Sequence, residues 1–196
     1  MQVAVPAGQG AMAALLGATP EQAAAACAAA DGLCEIANDN APGQLVLSGE
    51  KAAVEAASIW ARENGVKKAV PLPVSAPFHC SMMSSAAEIM RNALAEVEIR
   101  APSVPLIANV TAEPCTDPDL IRAGLVAQVT GQVRWRESVE YIVGQGVGLL
   151  AEAGAGKVLT VMNRRTSRET KGMTLGTPED LEAFAEYLNS NGDNNV

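Results

Sequence analysis

Met12-Ala13-Ala14-Leu15-Leu16-Gly17-Ala18-Thr19-Pro20-Glu21-Gln22 decides the fold of the first part of this chain. Met12 to Leu16 is a short apolar run that stops at a glycine, as a buried strand does. Thr19 then stands at an N-cap, Pro20 at the first helical position, and Gln22 where a capping box closes. The helix predicted from that start runs through the alanine block to about Ala30, before Asp31-Gly32. Two β-rich stretches follow, Cys34 to Asn38 and Gln44 to Ser48, separated by the turn-forming Asn40-Ala41-Pro42-Gly43. Glu50 to Asn64 reads as a helix with Val54, Ala57 and Ala61 on one face and Gly65 as its stop. Lys68 to Val74 returns as a strand. The order βαββαβ predicts a ferredoxin-like small subdomain over residues 9–74. That scaffold implies no chemistry by itself.

Past Pro73 the pattern changes. Ser81 to Val97 is predicted helical, with Met83, Ala86, Met90, Ala93 and Val97 on the apolar face. A strand is expected over Val104 to Val110, then helices over Asp119 to Val129 and Trp135 to Val143. A strand over Gly148 to Ala153 and a glycine turn lead into a helix from Lys157 to Arg165. Strand and helix alternate here as in a parallel α/β layer, though two strands are too few for a complete sheet. A capped start at Thr177-Pro178-Glu179-Asp180 opens the last helix, and residues 191–196 are expected to be a disordered tail.

The chain has 196 residues, enough for one domain or one domain with a smaller inserted lobe. Hydrophobic residues make up 48% and aromatics only 3%, so Ala, Val and Leu must build the core. A net charge of −8 argues against nucleic acid or an anionic membrane as partner. No apolar run approaches the roughly 20 residues of a membrane span, and Met1-Gln2-Val3-Ala4-Val5-Pro6 does not read as a signal peptide. Cys27, Cys34, Cys80 and Cys115 form no CxxC pair, and His79 is the single histidine, which leaves no zinc constellation. Reduced thiols in the cytoplasm are the expectation.

Pro71-Leu72-Pro73-Val74-Ser75-Ala76-Pro77-Phe78-His79-Cys80-Ser81 carries the most chemical information. A histidine at a strand-to-helix junction, behind stiffening prolines, is well placed as a general base. The bland alternative is a satisfied polar group. Cys80 is a poor nucleophile partner for His79, because adjacent side chains diverge, and Ser81 reads as a helix cap. No serine or cysteine sits in a GxSxG elbow: Ser48 lacks the upstream glycine, and Cys34 has Ile36 downstream. Gly154-Ala155-Gly156-Lys157 resembles an anion-binding turn, but Ala151, Val158 and Leu159 break the P-loop and dinucleotide patterns. A turn that lets helix and strand pack closely is the expected role.

Five blocks resemble one family. Ser75 to Met83 is similar to the GPFHS-x-LM block of bacterial malonyl-CoA:acyl-carrier-protein transacylases, and Ala37 to Gly49 to their ANYNSPGQxVxSG stretch. Asn109 to Pro114 matches NVTAEP, Gln132 to Val139 matches PVRWxESV, and Glu152 to Leu159 matches EVGPGKVL. The resemblance implies an α/β fold: part of an α/β-hydrolase-like acyltransferase core (residues 1–8 and 75–190) with the ferredoxin-like lobe inserted. It implies malonyl transfer in fatty acid biosynthesis, with malonyl-CoA and phosphopantetheinyl acyl carrier protein as substrates and no cofactor or metal. His79 aligns with the base, and Gln128 with the glutamine whose backbone carbonyl orients the histidine ring. Phe78 aligns with a residue beside the short acyl chain, and Asn38 and Asn40 with a loop facing the site.

Met1-Gln2 aligns well inside the family's chain, downstream of its GHSxGE elbow, substrate arginine and oxyanion glutamine. Acyl transfer needs nucleophile, base and oxyanion donors together. The expectation is therefore an enzyme part, inactive alone and completed by an N-terminal half. The competing expectation is a non-catalytic module that binds acyl carrier protein or another partner. A thiol enzyme using Cys80 is a third.

Overall fold

The structure, a computed structural model, describes residues 4–74 and 76–191. Thr19 caps its helix as its spacing predicts. Its hydroxyl accepts the Gln22 amide at 3.2 Å, while Gln22 Oε1 accepts the Thr19 amide at 3.0 Å. The closed box starts α1 (Pro20–Ala29) behind β1 (Gly10–Leu16). Then come β2 (Cys34–Ala41), β3 (Gln44–Glu50), α2 (Lys51–Glu63) and β4 (Lys68–Pro71). Their sheet has the order β2-β3-β1-β4 with every neighbouring pair antiparallel. Leu15, Leu45 and Leu47 face Ala23 and Ala26 of α1 and Ala57 and Ala61 of α2. Small helical side chains let both helices lie close on that face. The alternate positions Met12, Ala37 and Val46 face the other way, toward Leu72 and Phe78.

Of the strand ends that differ from the sequence expectation, two have a clear local cause. β2 runs on to Ala41, because Pro42-Gly43 alone makes the hairpin turn, with Gly43 at φ 76 and Ala41 paired with Gln44. β4 stops at Pro71 rather than Val74; Leu72 donates one last bond to the Met12 carbonyl, and the flanking prolines lack the N–H that would extend the ladder.

The single helix predicted over 81–97 is instead a 3₁₀ turn, Ser81–Met83, followed by α3 (Ser84–Ala95). Ser81 does not cap it. Its amide and hydroxyl donate to the Glu35 carboxylate at 2.9 and 2.7 Å, tying the turn to β2. The strand predicted over 104–110 shrinks to β5 (Leu106–Ile107), paired with β6 (Pro114–Cys115). The chain folds back between them: Thr111 and Ala112 both donate to the Ala108 carbonyl, and Ala112 has φ 55. Asp117 caps α4 (Pro118–Gln128) by accepting the Asp119 and Leu120 amides.

Two compact units meet in sequence at Ser138 and Val139, within α5 (Trp135–Gly144). The second holds β7 (Leu149–Ala153), α6 (Val158–Thr166), β8 (Lys171–Leu175) and α7 (Pro178–Asn191). β7 and β8 are parallel. β8 was not foreseen: it is short, begins at a lysine and contains Gly172, whose missing Cβ leaves room for Thr160 Cγ2. Neither α6 nor α7 has a buried residue among those described.

The 154–157 turn corrects another expectation. A Cβ at Gly154 or Gly156 would meet nothing within 4 Å, so close packing is not why glycine stands there; φ values of 127 and 97 are. Nor is the following helix start open to an anion. The Glu152 carboxylate accepts the Leu159 and Thr160 amides at 3.1 and 2.7 Å, and those bonds, Thr160's foremost, hold its pKa below the ordinary value. α7 extends to Asn191, while residues 192–196 of the expected tail, Met1-Gln2 and Ser75 lie outside the described residues.

Candidate active site

Pro77 and Cys80 are buried on either side of half-buried Phe78 and His79. Cys80 donates its thiol to the Pro77 carbonyl at 3.1 Å, which curls the segment into a turn, and burial pushes that thiol's pKa up. Cys80 is thus a core group, poorly suited to attack. His79 is held at φ 57, in the left-handed region that a residue with a Cβ occupies at a cost of roughly 1–2 kcal/mol.

What fixes the ring is the end of a helix. The last carbonyls of an α-helix have no intrahelical partner, and that of Gln128, closing α4, lies 2.9 Å from His79 Nδ1. A carbonyl can only accept, so Nδ1 carries a proton, and in the neutral ring Nε2 then holds the lone pair. Among the described residues, none hydrogen-bonds Nε2. Gln128 Nε2 in turn donates to the Gly131 carbonyl at 2.9 Å, closing the turn after α4. An imidazole with one nitrogen anchored on a main-chain oxygen and the other unengaged has the geometry of a general base.

The strained φ gives a test of this local picture. Both His79→Gly and His79→Ala lose the Nδ1 bond, but only glycine relieves the backbone. After the greater freedom of glycine in the unfolded chain is subtracted, His79→Gly is expected to be more stable than His79→Ala by about 1 kcal/mol. Urea denaturation of both variants checks this; equal midpoints would mean an unstrained turn.

The other predicted residues are placed as follows. Phe78 packs against two clusters, Met12-Ala37-Val46 on the sheet and Val5-Met83-Ala86-Ala87-Val129 by α3 and α4. Asn38 and Asn40 are half-buried on β2, and Asn38 forms an isolated parallel bridge with Val133. The structure joins His79 to Gln128; among the described residues it places no hydrogen bond from His79 to either asparagine. A cleft of about 590 Å³ lies elsewhere, lined by Met12, Val54, Ile59, Leu72, Lys51 and Arg62 among others, and does not include His79.

Asp39 is a further structural residue of this region, outside the motifs that point to His79. Its carboxylate is buried and takes Nε and Nη2 of Arg136 at 3.0 and 2.8 Å, joining β2 to α5. Ala37-x-Asp39-x-Ala41 was the available signal: an aspartate on the apolar face of a strand needs a cation. Arg134 likewise holds the loop before β6, donating to the Thr111 carbonyl while pairing with Glu137. That pairing keeps Glu137's pKa low.

No protein-family model matches the chain. It is 40% identical to the malonyl CoA-acyl carrier protein transacylase of Bacillus subtilis over 99% of its own length and 62% of that relative's. With the Escherichia coli K12 protein of the same description, the figures are 43%, 95% and 61%. A solved acyl-carrier-protein S-malonyltransferase from Bartonella henselae superposes with a TM-score of 0.93 at 50% identity, covering 96% of this chain and 60% of that one. Another match, at TM-score 0.90 and 38% identity over 95% of this chain and 61% of that one, is a malonyl-transacylase in complex with a type II PKS acyl-carrier protein. The chain spans about three-fifths of the length of each.

Proposed function

Because this chain belongs to the malonyl CoA-acyl carrier protein transacylase family over about three-fifths of that family's length, we propose that it carries the general base of a malonyl-transfer site. His79 Nε2 takes the proton of a serine hydroxyl as that oxygen attacks the malonyl thioester carbonyl. The C–S bond then breaks, and the proton passes to the departing CoA sulfur. In the second half the phosphopantetheine thiol of acyl carrier protein gives its proton to the same nitrogen and attacks the malonyl ester, and the serine recovers its hydrogen. The His79–Gln128 contact carries this proposal, since it fixes the tautomer the proton transfers require.

The remaining assignments follow the family. Phe78 would lie beside the short acyl chain, and Asn38 and Asn40 would face the substrate. Residues 9–74 would be the small lobe, and 1–8 with 75–190 part of an α/β-hydrolase-like core. The cytoplasm is the expected place of work. None of the 196 residues lies in a GxSxG elbow, so the proposed reaction would need its serine nucleophile supplied by another segment.

The experiment is malonyl transfer from CoA to acyl carrier protein, with the chain alone and with a segment bearing the GHSxGE elbow. Transfer is expected only from the combination. Turnover by the chain alone at the rate of its relatives would overturn the assignment. Carrier-protein binding with no transfer from either sample would favour a docking role instead.

A further inference from the structure

Cys27 lies in the last turn of α1 and Cys34 opens β2, and their sulfurs are 3.4 Å apart. Both thiols are free and half-buried. The other two cysteines have carbonyl partners: Cys80 on Pro77, deep in the core, and Cys115 on Asp117. Only at Cys27 and Cys34 does one thiol serve as the other's partner. The Cys34 thiol, as donor to Cys27, holds the Cys27 pKa below its ordinary value, while the same contact and burial push Cys34 up. Glu35 opposes thiolate formation at both, and at each it is the smallest influence. The contact therefore places one thiol where it can donate to the other as that one ionises.

Closing the pair means a short approach from 3.4 Å. A disulfide needs its sulfurs to approach to about 2.05 Å, and the segment between α1 and β2 turns at Gly32, with φ 100. We propose that Cys27 and Cys34 form a peroxide-sensitive dithiol that closes reversibly to a disulfide, tying the end of α1 to the start of β2. Cys27 thiolate attacks the O–O bond of a hydroperoxide. An S–O bond forms, and the departing oxygen leaves as hydroxide and is protonated. Cys34 sulfur then attacks that sulfenic sulfur; the S–S bond forms, and the hydroxyl leaves as water with the Cys34 proton. Two thiols lose two electrons, and one hydrogen peroxide becomes two waters. Because Cys34 is already in contact, it captures the sulfenic acid before further oxidation.

The test uses the full chain treated with hydrogen peroxide, alkylated with N-ethylmaleimide and mapped by peptide mass. The expected result is loss of two of the four thiols, a Cys27–Cys34 linked peptide lighter by two hydrogens, and full recovery with dithiothreitol. Cys34→Ser should abolish the linked peptide and leave Cys27 as a dimedone-reactive sulfenic acid. An unlinked pair in the wild-type chain, with Cys115 oxidised first, would overturn the proposal. So would a Cys34→Ser chain in which Cys27 resists oxidation. The readout is thiol chemistry and does not depend on the transacylase assignment.

Discussion

Under the proposed function, His79→Ala is expected to lower malonyl transfer by about 10²–10⁴-fold when the chain is assayed together with the serine-bearing segment. The size follows from what the imidazole would do in each half-reaction. With Nδ1 tied to the Gln128 carbonyl, Nε2 is the one ring atom able to take a proton. Alanine leaves serine as a neutral hydroxyl, a weak nucleophile. The loss should fall on kcat with little change in KM, since the imidazole acts in the transition state more than in binding. Gln128→Ala separates position from chemistry: it removes the side-chain bond to Gly131 but keeps the carbonyl, so its effect should be far smaller. A fall of less than about tenfold for His79→Ala would return that residue to a packing role.

Asp39→Ala destabilises the fold by about 3 kcal/mol. Asp39 is 5% exposed and Arg136 is 23% exposed, and they meet through two guanidinium nitrogens. Removing the carboxylate takes these hydrogen bonds from a guanidinium beside the sheet. The cost stays near the lower end of the range for broken buried pairs because Arg136 retains some contact with water. Replacing the pair together, as Asp39→Ala with Arg136→Met, should recover part of the loss. Urea denaturation followed by circular dichroism measures both. A midpoint unchanged in Asp39→Ala would mean that the pair adds nothing.

Short-range chemistry was legible in the sequence and long-range pairing was not. Thr19, Pro20 and Gln22 announced α1 because a capping box is complete within four residues. The strand predicted over 104–110 failed because β propensity says nothing about a partner, and only Pro114–Cys115 pairs there. β8 escaped notice for the opposite reason: its pairing with β7 outweighs a weak local pattern. Ser81 looked like a cap, but Glu35, 46 positions away, binds it. At the site, turn chemistry flagged His79, whereas its partner lies 49 residues along and entered only through the family resemblance. Asp39 could have been suspected from strand alternation, but not matched to Arg136.

The second unit has a thermodynamic consequence. Val158 and Leu181 are 69% and 54% exposed, and two parallel strands carry the only ladder described there. A ladder so small, with none of the β7 or β8 side chains fully buried, gains little from excluding water. Residues 139–191 should therefore open at a lower free energy than β1 to β4, as a separate cooperative block. Heating the chain would then trace two overlapping transitions, and a single Tm would describe neither.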